Sequence, residues 1–116
     1  MFEKKYDRNG NLTYSKDQDG YWQKFFYNSE QNLTRFEDSE GNWEKYLYDL
    51  RGNITRIEDS SGKWSTRKYN DQNNIIEFKD QTGYWYKKEY DENGKMIRFF
   101  SSDDVDEDLT RFDNDE

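Results

Sequence analysis

The sequence contains no cysteine, no histidine and no proline in 116 residues. Without cysteine there is no disulfide framework, no thiolate metal site and no thiol nucleophile. Without histidine the chain lacks the side chain that most often serves as general base or transition-metal ligand near neutral pH. Without proline, nothing prevents a strand from pairing on both edges. Long apolar runs are missing as well: no stretch approaches the roughly 20 apolar residues of a spanning helix. The opening Met1-Phe2-Glu3-Lys4-Lys5-Tyr6 has no apolar leader core. Together these absences lead us to expect a soluble, cytoplasmic, non-catalytic chain without cofactor, metal site or membrane contact.

Aliphatic residues are scarce too. Leu, Ile, Val and Phe together number 19 of 116, charged residues make up 38%, and the net charge is −8. Ordinary composition rules would call such a chain disordered. Two features oppose that. Aromatics reach 19%, and each buried ring removes roughly 150–250 Å² from water. They also recur in register, so each unit can hand its apolar surface to the next. The charge is uneven: residues 1–102 carry 18 acidic and 17 basic side chains, whereas residues 103–116 carry eight acidic and one basic. The sequence therefore divides into a near-neutral body, 1–102, and an acidic tail, 103–116.

Tryptophan falls at 22, 43, 64 and 85, and tyrosine at 6, 27, 48, 69 and 90, in steps of 21 residues. Gly20, Gly41, Gly62 and Gly83 keep the same step. A fixed period of this length marks a repeat array. One unit reads Trp43-Glu44-Lys45-Tyr46-Leu47-Tyr48, a turn cluster from Asp49 to Asn53, then Ile54-Thr55-Arg56-Ile57-Glu58 and a second cluster from Asp59 to Lys63. Two short runs separated by Asp, Asn, Ser and Gly are the sequence form of a β-hairpin. The clusters recur about every ten residues, which leaves no room for an amphipathic helix. The expected fold is all-β: an antiparallel meander of about ten short strands in five hairpins, twisted or coiling.

Pairing Tyr27 with Leu33 across the turn, without interruption, sets Trp22 opposite Asp38. Pairing Phe36 with Trp43 then places the Trp row, Phe36, Ile57, Phe78 and Phe99 on one face. The Tyr row, Leu33, Ile54, Ile75 and Met96 fall on the other. This register makes the tryptophans half of a two-faced core. After Phe99-Phe100-Ser101-Ser102 the Gly-x-Trp signal disappears, and Leu109-Thr110-Arg111-Phe112 only echoes Leu33-Thr34-Arg35-Phe36. A degenerate, charged last unit is the form of a terminal cap.

Tyr48-Asp49-Leu50-Arg51-Gly52-Asn53-Ile54-Thr55 and Tyr6-Asp7-Arg8-Asn9-Gly10-Asn11-Leu12-Thr13 resemble the YD (RHS) repeat, Tyr-Asp-x-x-Gly-Asn-Leu-Thr. The resemblance covers residues 3–100. It departs from the pattern at Gln31 and Asn73, which replace glycine, and at Asn28 and Asn70, which replace aspartate. It implies a spiralling sheet of hairpins. In large relatives such sheets form shells around toxins or cell-surface adhesion modules; five units are too few to enclose a cargo.

Several motifs carry candidate chemistry. Asp17-Gln18-Asp19-Gly20, Asp7-Arg8-Asn9-Gly10 and Asp91-Glu92-Asn93-Gly94 look like calcium loops but lack the late bidentate glutamate. Their residues suit tight turns. Asn11-Leu12-Thr13, Asn32-Leu33-Thr34 and Asn53-Ile54-Thr55 match the glycosylation sequon, and read as a turn residue followed by a β-favouring pair. Lys24, Lys45 and Lys87 follow the tryptophans on one face, while Arg35, Arg56 and Arg98 line the other. Such rows beside aromatics could track a single nucleic-acid strand, although neighbouring glutamates point to solvated ion pairs.

The leading functional expectation is a small intracellular inhibitor of the immunity or phage anti-defence type, similar in composition to anti-CRISPR proteins. Its acidic tail (Asp103, Asp104, Asp106, Glu107, Asp108) would engage a protein partner with a basic, nucleic-acid-handling surface. The alternatives are a structural or carbohydrate-binding fragment of an RHS-like surface protein, and a single-stranded nucleic-acid binder acting through the Lys and Arg rows. Open edge strands at the two ends leave room for a homodimer.

Overall fold

The computed structural model describes residues 2–103. Within them lie ten antiparallel strands: β1 (Glu3–Tyr6), β2 (Leu12–Lys16), β3 (Trp22–Tyr27), β4 (Leu33–Asp38), β5 (Trp43–Tyr48), β6 (Ile54–Asp59), β7 (Trp64–Tyr69), β8 (Ile75–Asp80), β9 (Trp85–Tyr90) and β10 (Met96–Ser101). The chain divides between Lys63 and Trp64 into two compact units. In the first, β1 to β6 each pair with the next strand. In the second, β7 to β10 do the same. The all-β hairpin meander read from the repeat is the observed architecture.

Each turn is built by one residue. Asp7, Asp17, Asn28, Asp38, Asp49, Asp59, Asn70, Asp80 and Asp91 donate their own N–H to the carbonyl four residues on, and their carbonyls accept from the N–H three residues on. At all but Asp80, the side-chain oxygen also accepts from the N–H groups two and four residues on. At Asp80 it accepts from Thr82, whose hydroxyl takes the Tyr84 N–H. The fourth turn residue has positive φ throughout, which is why glycine stands there seven times. Gln31 (φ 71°) and Asn73 (φ 68°) adopt it without that freedom. The turn carboxylates are thus spent on their own backbone, as turn chemistry requires.

The pairing corrects the expected register. Tyr27 does face Leu33, but a bulge follows at once, so that Phe26 faces Arg35, Phe25 faces Phe36 and Gln23, not Trp22, faces Asp38. Across the next turn Trp43 faces Glu37, not Phe36. The same bulge recurs in β1–β2, β5–β6, β7–β8 and β9–β10. Because side chains alternate with period two, one extra residue moves the rest of a strand to the opposite face. Phe36, Ile57, Phe78 and Phe99 therefore lie with the tyrosines, away from the tryptophans. In the first unit Phe25 and Phe36 meet at 5.5 Å between ring centroids. In the second, Phe78 stacks on Tyr86 at 5.1 Å and Tyr86 meets Phe99 at 5.6 Å.

On this apolar face tyrosine hydroxyls tie each hairpin to the preceding one. Tyr27 donates to the Leu12 carbonyl (2.8 Å), Tyr48 to that of Leu33 (2.5 Å) and Tyr90 to that of Ile75 (3.4 Å). Burial still goes only halfway: among the described residues no apolar side chain is fully buried, and only Asp38 and Ser101 are. A sheet on which no other described element packs shields a side chain from its flanks but not from above.

Two measurements check the turn geometry. Gly52 (φ 87°) has open space where a Cβ would sit, so Gly52→Ala acts through backbone strain alone. It should lower stability by about 1–2 kcal/mol, whereas Gln31→Gly should raise it by up to about 1 kcal/mol. An unchanged urea midpoint for Gly52→Ala would contradict the left-handed turn.

Stability should also fall at both pH extremes. The Asn11 backbone N–H leads in holding Asp7 below the ordinary 3.8, that of Asn53 does so at Asp49, and the Ser61 hydroxyl at Asp59. At Asp38 burial pulls upward but is outweighed by hydrogen bonds from Tyr21, Asn42 and Glu40. With folded values below unfolded ones, the unfolded chain binds more protons near pH 4. The stabilisation present above that pH is therefore lost as pH falls through the folded values. Burial raises Tyr27 and Tyr48 above the ordinary 10.0, so their contribution is lost as pH rises beyond it. Melting temperatures that stay flat from pH 5 to 2 would contradict the first half, and from pH 9 to 12 the second.

Candidate binding surface

The face opposite the tyrosines is the polar one, and it holds the tryptophans. On β3 and β5 it presents Trp22, Lys24, Phe26 and Trp43, Lys45, Leu47; the paired strands add Arg35, Glu37, Arg56 and Glu58. On β1 and β2 it presents Glu3, Lys5, Tyr14 and Lys16. In this unit Lys5, Lys16, Lys24, Arg35, Lys45 and Arg56 stand against Glu3, Glu37 and Glu58, a surplus of three positive charges. The acidic residues collect instead at the turns, Asp7, Asp17, Asp38, Asp49 and Asp59 among them. In the second unit the same face carries Trp64, Lys68, Glu77, Lys79, Trp85, Lys87, Glu89, Arg98 and Phe100.

Cations cover the rings on this face. Lys24 lies over Trp22 at 5.1 Å, Lys45 over Trp43 at 5.1 Å, Lys87 over Trp85 at 5.8 Å and Lys5 over Tyr14 at 5.1 Å. Arg35 also approaches Trp43 at 5.5 Å. Such contacts contribute about 0.5–1 kcal/mol each at exposed sites. Ion pairs join Arg35 to Glu37 (2.9 Å), Arg56 to Glu58 (3.4 Å) and Arg98 to Glu89 (3.7 Å). Phe26 and Leu47 stand exposed between the bases, at 44% and 58%. At one end a cleft of about 860 Å³ is lined by Lys5, Tyr14, Lys24 and Phe26 together with turn residues such as Asp7, Asn9 and Ser29.

The structure thus brings together what the sequence reading had separated. Lys24, Lys45 and Lys87 lie beside the tryptophans as expected. Arg35, Arg56 and Arg98, expected on the opposite face, share theirs, because the bulge carries them across. The tryptophans are half-buried, Trp22, Trp43 and Trp85 under cations, and Trp22 and Trp43 are not part of a core with Phe36. Of the tail residues, Asp103 is exposed just beyond β10. Asp104, Asp106, Glu107 and Asp108 lie outside the described residues. Lys5, Tyr14, Phe26 and Leu47 were missed. Aligning the units would have found Tyr14, which occupies the position of Arg35 and Arg56.

The period ends inside β10. Ser101 fills the position of Asp38, Asp59 and Asp80, so the residue that would build the next turn is absent there. Ser102 still keeps the pattern: its hydroxyl accepts from the Trp85 N–H, as Ser39 and Ser60 do from Trp22 and Trp43. Among the described residues no group of three or more carboxylates is gathered to hold a metal ion.

This antiparallel meander has counterparts at the level of fold among solved structures of Tc toxin proteins. The chain is similar to a crystal structure of TcdB2–TccC3–Cdc42, with a TM-score of 0.67 and 18% identity over 86% of this chain and 5% of that one. The Photorhabdus luminescens Tc holotoxin pore gives a TM-score of 0.68 and 14% identity over 88% of this chain and 7% of that one. TcdB2–TccC3 gives 0.65 and 18%, over 87% and 6%. The likeness is one of fold, and the chain spans only a small part of these much longer chains. No protein-family model matches the chain, and no curated protein sequence does.

Placing the tryptophans on a solvated face makes a spectroscopic prediction. Emission from the native chain should lie red of a fully buried indole and be readily quenched by acrylamide, with Lys45→Met altering the Trp43 component. Blue, quencher-shielded emission would return the Trp row to a core.

Proposed function

We propose that the chain is a non-catalytic structural repeat segment whose apolar face is a protein-contact surface. One observation carries this reading. Among the described residues no apolar side chain is fully buried, yet one face gathers Phe25, Phe36, Tyr46 and Ile57 in the first unit and Phe78, Tyr86 and Phe99 in the second. Rings left half-wet realise only part of the roughly 25 cal/mol per Å² available on burial, so a covering protein surface gains what the isolated sheet forgoes. The long repeat proteins of the same fold support the structural half of the reading. The non-catalytic half is supported by the turn carboxylates, which are engaged with backbone amides and held below their ordinary pKa. The inhibitor reading rests on the acidic tail, most of which lies outside the described residues, and the sheet adds no geometry to it.

Dye binding tests the proposal. The folded chain should enhance anilinonaphthalene sulfonate emission. Met96→Ser with Phe99→Ser, at positions 47% and 46% exposed, should reduce it while the β-sheet circular dichroism persists. If the chain associates with itself and silences the dye, a second copy is the covering surface. A folded monomer that leaves the dye dark is self-sufficient, and the proposal fails.

A further inference from the structure

We propose that the basic face of the first unit binds single-stranded nucleic acid, with the cleft between Tyr14 and Phe26 as its base-stacking site. The inference does not depend on how the apolar face is covered, since it concerns the opposite side of the sheet.

Three observations carry it. First, Lys5, Lys24 and Lys45 hold their ammonium groups over rings and not against carboxylates. They are thus available to phosphates in a way that Arg35, paired with Glu37, is not. Second, Phe26 and Leu47 are exposed in the middle of this charged face. Large apolar groups ringed by cations suit a ligand that offers flat apolar surfaces and negative charge together. Third, a cleft of about 860 Å³ already exists where Lys5, Tyr14, Lys24 and Phe26 converge. It presents Tyr14, Phe26 and two cations to one volume, and the one carboxylate of its lining, Asp7, accepts from the backbone of its own turn.

That combination selects among ligands. A neutral sugar would use the rings but leave the three lysines without a counter-charge. A duplex would offer phosphates while keeping its bases stacked away from Phe26. An unpaired strand supplies both, with bases on the rings and phosphates along the lysines. The net charge of −8 belongs to the whole sequence, whereas on the strands of this face six cations outnumber Glu3, Glu37 and Glu58.

Fluorescence anisotropy with a labelled 15-nucleotide thymidine strand and the full-length chain tests this. Binding should appear at 50 mM salt. Three phosphate-neutralising lysines should give a log–log salt slope of about −2. Lys24→Gln with Lys45→Gln should flatten the slope to about −0.7. Phe26→Ser should weaken binding about 10-fold with the slope unchanged. All three positions are exposed, so circular dichroism should confirm an intact sheet. No binding at 50 mM salt, a slope indifferent to the lysines, or a neutral Phe26→Ser each overturns the proposal. So does equal affinity for a duplex of the same length, which would reduce the contact to phosphate alone. Binding of a sulfated polysaccharide but not of the oligonucleotide would assign the face to that other polymer and overturn it as well.

Discussion

Everything in this sheet depends on a hydrogen-bonded turn that a single residue builds. An aspartate or asparagine closes five residues by giving its N–H to the fourth carbonyl on, and its side chain satisfies the amides that the tight bend leaves over. The residue before it then faces the residue five after it, at both ends of the strands: Tyr6 with Leu12, Lys16 with Trp22, Tyr27 with Leu33, Glu37 with Trp43. Only the side-chain oxygen matters for this, which is why Asn28 and Asn70 substitute for aspartate without changing the turn. Positive φ at the fourth position is the harder requirement, and Gln31 and Asn73 meet it under strain.

The turns were legible in the sequence because their chemistry is local. Strand number, strand order and the position of every turn follow from Asp, Asn and Gly spacing. The faces were not legible. The turn rule pairs Tyr27 with Leu33, and at the other strand end the same rule pairs Glu37, not Phe36, with Trp43. No residue type announces the bulge. Threonine occupies it at 13, 34 and 55, where the Thr13 and Thr34 hydroxyls donate to the carbonyls of Lys5 and Phe26, but isoleucine fills the same position at 76 and 97. The bulge is a tertiary decision. It moves Phe36 onto Phe25 and carries Arg35 to the tryptophan side, and so, in the first unit, gathers rings with the tyrosines and most of the strand cations with the tryptophans. A register that leaves both faces mixed buries less and strands more charge beside rings.

That sorting also determines which side each kind of partner can occupy. Covering the tryptophan face with an apolar protein surface would desolvate Lys24 and Lys45, whose ammonium groups lie over indole rings, and uncompensated buried cations cost several kcal/mol apiece. Covering the tyrosine face of the first unit strands less: the Tyr27 and Tyr48 hydroxyls already donate to backbone carbonyls and Tyr46 donates to Glu44, while in the second unit Arg67 and Lys88 lie on this face over Phe78 and Tyr86. A polyanion reverses the preference, because it brings counter-charge to the lysines and would find little to pair with beside Phe25 and Phe36. One bulged residue per hairpin therefore gives the first unit two chemically different sides. The two proposals do not compete for the same surface.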